Sequence, residues 1–154
     1  MKTKTATLLL VLAGLLLAGA RTFSAELVNA DRNAKVALQA YDPVAFFTDS
    51  KATKGSPFIS TTHGDYRYFF ASEEHKAAFE KAPEKYLPAY GGYCAYGISV
   101  GKLFPVEIET WEIVDGRLLL QFNQSVKTKF AEHKAENLKN AEMNWPELVA
   151  KHSK

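Results

Sequence analysis

The sequence predicts a single α+β domain: a small antiparallel sheet packed against several helices. Three observations predict it. Asp115-Gly116 lies between two apolar runs, Thr110–Val114 and Arg117–Phe122, and is the strongest two-residue hairpin signal, suited to a type I′ turn. Phe58–Thr62 and Tyr66–Ala71 read as a second strand pair joined at His63-Gly64-Asp65, because β-branched and aromatic residues favour strands. Ser72, followed by Glu73 and Glu74, marks a helix start. A serine oxygen accepts an orphan N–H there, and the acids suit the positive end of the helix dipole.

The remaining elements follow in order. Residues 21–40 are polar with little periodicity and read as a lead-in to a domain spanning 41–150. Asp42-Pro43 suits the start of a helical turn, with the carboxylate as cap and proline at the first helical position. The helix from Ser72 runs to Lys81, where Pro83 ends or restarts it. Gly91-Gly92 interrupts the tyrosine run Tyr86, Tyr90, Tyr93, Tyr96, so a turn leads into a short helix from Tyr93. Ser125 is expected to cap a last helical region, which Asn144-Trp145-Pro146 should break or kink. Phe69, Phe79, Tyr86, Trp111, Leu119, Phe122 and Phe130 are the expected core.

The chain has 154 residues, of which 47% are hydrophobic and 23% charged, an ordinary globular composition that excludes wholesale disorder. A single cysteine excludes an internal disulfide framework and any multi-cysteine zinc site within the chain. No basic run interleaved with aromatics points to nucleic acid as a partner.

The first residues read as an export address. Lys2 and Lys4 precede the apolar run Leu8–Leu17, and Ala18-Gly19-Ala20 offers small residues for cleavage. Residues 1–20 are thus expected to be a signal peptide, with Ala25 as a later alternative cleavage point. Cleavage at 20 lowers the 19 bases to 17, matching 17 acids. The processed chain is expected to be soluble, periplasmic or secreted, and free of the membrane.

Several separated motifs carry a family likeness. Tyr41-Asp42-Pro43-Val44-Ala45-Phe46-Phe47, Tyr68-Phe69-Phe70-Ala71-Ser72, Pro83-Glu84-Lys85-Tyr86 and Tyr90-Gly91-Gly92-Tyr93-Cys94-Ala95 together resemble the YHS domain family, and more closely its exported bacterial branch. Metal-associated members place cysteines at positions that match Ala45, Ala71 and His75 here. The resemblance therefore implies a site that has lost two thiolates and gained an imidazole.

Cys94 is the sharpest candidate. Near a helix start its thiol would be acidified; between Tyr93 and Tyr96 burial would do the opposite. It also reads as a small buried hydrophobe. His75 and His63 could join it as ligands for copper or zinc. Tyr41, Tyr68, Tyr90, Tyr93 and Tyr96 could line a pocket around a small ligand. The first reading is a non-enzymatic binding module for a metal ion or small ligand near Cys94. The alternatives are a thiol enzyme or redox protein using Cys94, and a structural or partner-binding domain with no active site.

Overall fold

A computed structural model describes residues 26–153, so the expected signal peptide lies outside the described residues. Residues 26–41 are more than a lead-in. Ala30 bridges Ala37, Val36 bridges Arg67, and Val28, Ala37 and Leu38 are buried. This strap lacks strand periodicity because it pairs only in isolated bridges, yet it closes one side of the core.

Helix α1 (Ala45–Thr48) follows Asp42-Pro43, and Asp42 Oδ1 accepts from Val44 N at 2.8 Å and Ala45 N at 3.3 Å. Strands β1 (Ser56–His63) and β2 (Tyr66–Phe70) form the first hairpin, in register from His63↔Tyr66 to Ser60↔Phe69. A register shift then pairs Ser56 with Phe70 and leaves Phe58 on the outside, 94% exposed. Helix α2 (Glu73–Lys81) begins as expected, with Ser72 Oγ accepting from His75 N at 3.1 Å. Pro83 opens α3 (Pro83–Tyr86), and a 3₁₀ turn over Ala89–Gly92 leads to α4 (Ala95–Ser99), two residues later than expected.

Strands β3 (Glu107–Val114) and β4 (Arg117–Gln121) pair through Asp115 and Gly116, whose φ values of 50° and 73° are those a type I′ turn needs. Leu118 and Leu120 face one apolar cluster with Phe46 and Ile108, whereas Leu119 faces another with Ile98 and Phe130. Side chains alternate along a strand, so three consecutive buried leucines mean that β4 is covered on both faces. A third cluster, with Tyr68, Phe70, Phe79 and Tyr86, lies under the first hairpin. Together these elements form one α+β domain with two small antiparallel sheets.

Three expectations are corrected. Asn123, not Ser125, caps α5 (Gln124–Glu132), its Oδ1 accepting from Val126 N at 2.9 Å. Pro146 does not break α6 (Lys134–His152). Proline removes one N–H, but Ala141 and Leu148 are buried on either side of it. Asn144 Nδ2 also ties the helix to the carbonyls of Ile98 and Ser99, both at 3.0 Å. Phe122 is 43% exposed and stacks loosely on Phe104 rather than joining the core, because β4 ends at Gln121. Trp111 is only partly buried, edge-on to Phe46, while Phe69, Phe79, Tyr86, Leu119 and Phe130 are buried. Among the described residues, no helix is long and apolar enough to cross a membrane.

Candidate functional site

Cys94 caps α4 and is 1% exposed. Its Sγ accepts from Gly97 N and donates to Gln121 Oε1, both at 3.4 Å. Burial pushes the thiol above its ordinary range despite the opposing pull of nearby backbone N–H groups. Desolvation thus outweighs the helix start, in part because α4 is only five residues long. Gln121 is itself fully buried, and its Oε1 also accepts from Tyr96 N at 3.0 Å. That contact fixes the orientation of the amide and leaves Gln121 Nε2 as a buried donor with no acceptor among the described residues.

His75 and His63 do not meet Cys94. His75 Nδ1 lies 2.6 Å from Asp42 Oδ2 and donates to it. Its Nε2 faces Thr48 Oγ1 at 3.3 Å and Asp49 Oδ1 at 3.5 Å. Asp42 is completely buried and also accepts from Ala71 N at 2.8 Å. The line Asp42–His75–Thr48 has the order of a nucleophilic relay, but Thr48 Oγ1 donates to Asp49 Oδ1 at 2.8 Å. With that proton committed, no hydroxyl is ready to give one to His75. The cluster ties α1, β2 and α2 together. His63 instead stands edge-on to Phe79 and faces Glu84 at 3.8 Å. Among the described residues no group of three His, Cys, Asp or Glu is disposed to hold a metal ion, so the expected Cys94–His75–His63 set is not assembled.

The tyrosines also separate. Tyr41 carries the Lys54 ammonium 4.1 Å above its ring, and Tyr96 has Lys129 at 5.3 Å. Tyr93 donates to the Val28 carbonyl at 3.4 Å and so holds the strap down. Of the five, Tyr68 and Tyr90 line a cleft, a space of about 590 Å³ between the strap, the 3₁₀ turn and the C-terminal half of α6.

Two glycines make this cleft. Gly91 has φ +58°, and a Cβ there would collide with the Leu27 carbonyl. Asn29 N donates to Gly91 O at 2.9 Å and Asn29 Nδ2 to Gly92 O at 3.1 Å, which seats the strap against the turn. Gly64, φ +57°, leaves room for the Glu26 carboxylate. Opposite, α6 presents Trp145, Pro146 and Val149. Tyr90 stands edge-on to Trp145 and donates to Glu142 Oε1 at 2.8 Å. Burial, then the hydrogen bond to Glu142, pushes its phenol up to about 12.

Tyr68 is different. Its ring stacks on Phe79 in the core and the residue is 1% exposed. Its hydroxyl finds no hydrogen-bond partner among the described residues, and its phenol is pushed far up by burial and then by the charge of Glu26. Glu26 is half-buried, also without a hydrogen bond or ion pair through its carboxylate among the described residues, and burial raises it above the usual carboxylate range. Glu84 adds a second carboxylate at the rim. Sequence reasoning reached Tyr68 but missed Glu26 and Trp145, the first set aside in a polar stretch and the second as part of a helix break. The glycines at 64 and 91 were the available signal, since each marks a close approach of another segment. Comparisons with protein-family models, with curated proteins and with solved structures found no match to this chain.

Proposed function

We propose that the chain is an exported binding module of the YHS type that takes a small organic ligand in the cleft between the strap and α6. The observation that carries this reading is Tyr68, a cleft-lining side chain only 1% exposed, whose hydroxyl has no hydrogen-bond partner among the described residues. Among the described residues the fully buried side-chain atom left unbonded is Gln121 Nε2, whereas the Tyr68 oxygen opens toward the cleft, where a partner can reach it. A ligand atom supplies the missing partner. The volume is within the range of small-molecule sites, roughly 300–1,000 Å³, and the walls are mostly apolar with few polar groups, as such sites are. The alternative of a thiol enzyme has less support, since Cys94 lies outside the cleft, buried and with its thiol pushed up. The motifs from Tyr41 to Cys94 and the N-terminal apolar run support the family and the compartment.

Trp145 gives the test its reporter. In a Trp111→Phe variant it is the single tryptophan, and titration with benzylammonium or benzyl alcohol is expected to change its fluorescence saturably. Ala150→Trp, which fills the cleft mouth, is expected to abolish binding measured by calorimetry. A folded chain whose Trp145 responds to neither probe would overturn the reading.

A further inference from the structure

We propose that the cleft selects small organic cations, a primary or quaternary ammonium on an apolar body, through Glu26, Glu84 and the Tyr68 hydroxyl; this rests on the cleft being the ligand site. The charge around it is one-sided. Glu26 and Glu84 line it, and among the described residues no lysine, arginine or histidine does. At the rim His63 faces Glu84 at 3.8 Å. At the edge of the same cleft one acid is matched: Glu142, beside Tyr90, holds Arg117, whose guanidinium lies 5.1 Å from the Tyr90 ring centre. The Glu26 carboxylate, by contrast, has no cation bonded to it among the described residues.

The acceptors and the walls agree on the ligand. A carboxylate only accepts hydrogen bonds, so Glu26 calls for a donor. The Tyr68 oxygen can accept as well, and an ammonium supplies up to three N–H groups. Trp145 lines the cleft with an indole, the ring type that attracts cations best, and Leu87, Pro88 and Val149 suit the apolar body. An anionic ligand would meet two carboxylates with nothing to offset them, and a neutral one would leave Glu26 uncompensated.

The test is calorimetric titration of the purified chain with three probes of one shape: benzylammonium, benzyl alcohol and benzoate. The expected result is saturable binding of benzylammonium at least about tenfold tighter than benzyl alcohol, with no binding of benzoate. Glu26→Gln should bring benzylammonium close to benzyl alcohol, weakening the cation much more than the alcohol. Raised salt should weaken the cation alone. Equal affinities for the ammonium and the alcohol, or a Glu26→Gln variant that binds both as before, would overturn the cation preference and leave the ligand site standing. Failure of all three probes at millimolar concentration, with the fold intact, would overturn both.

Discussion

Asp42 and Tyr68 are buried polar side chains at two edges of the same apolar cluster, and the fold treats them in opposite ways. Asp42 receives three backbone N–H groups and the His75 imidazole. Tyr68 receives nothing from the described residues. A carboxylate with every lone pair engaged is part of the architecture, holding the turn before α1 to the end of β2 and the first turn of α2. A phenol left open toward a cleft adds no hydrogen bond to the fold. The same contrast recurs within the cleft, where Tyr90 is bonded to Glu142 and Tyr68 is not. Hydrogen-bond satisfaction separates Asp42 and Tyr90 from Tyr68, and Gln121 Nε2, unbonded but away from the cleft, shows that an open group marks a candidate site only where a cavity adjoins it.

The contrast breaks most visibly at Asp42. Asp42→Ala strands the N–H groups of Val44 and Ala71 and the His75 ring, so it should cost about 3–5 kcal/mol, read as a lowered denaturant midpoint at unchanged slope. A loss under about 1 kcal/mol would mean that water replaces the carboxylate and that the cluster is not structural. Cys94 comes next. Alkylation of the folded chain should be limited by opening of the structure, so its rate should fall in step with added stability and rise steeply only on unfolding. Rapid alkylation of the folded chain near neutral pH would return Cys94 to the list of functional residues.

Smaller effects sharpen the cleft side of the comparison. Glu26 has its carboxyl raised by burial, with His63 pulling it down and Glu84 and Asp65 adding to the rise. A raised folded value favours the neutral form. Its stabilising contribution is therefore full below the ordinary glutamate range and lost as pH rises through the raised value. Glu26→Gln should then stabilise the ligand-free chain at neutral pH, by less than about 1 kcal/mol given its exposure, and the gain should vanish in acid. A gain that persists at low pH would mean the effect is not the buried charge. Tyr68→Phe should change stability least, within about 0.5 kcal/mol, because the lost hydroxyl makes no bond among the described residues. A loss above about 1.5 kcal/mol would reveal an internal partner.

Much of the fold was legible because its signals are local. Asp115-Gly116 demands positive φ at both turn positions, and Ser72 sits one residue before a run of helix formers. The misreadings are where tertiary contacts override local preference. Pro146 stays within α6 because Asn144 and the buried Leu148 anchor that helix to its neighbours. Phe122 lies one residue past the end of β4, where the strand pattern no longer places it. The site was less legible. Cys94 stood out as the only cysteine, yet rarity of a residue type does not describe its surroundings. Glu26, Tyr68 and Trp145 are far apart in sequence, and only the strap seated against Gly91 and Gly64 brings the first beside the second. No spacing rule could express that.

The most direct measurement is amide chemical-shift mapping of the labelled chain during titration with benzylammonium. The largest shifts are expected at Glu26, Val28, Tyr68, Gly91, Trp145 and Val149, around the cleft, with Cys94, Tyr96 and Gln121 unmoved. Shifts centred on Cys94 and Gln121, or on His75 and Asp42, with the cleft silent, would contradict the assignment of the ligand site.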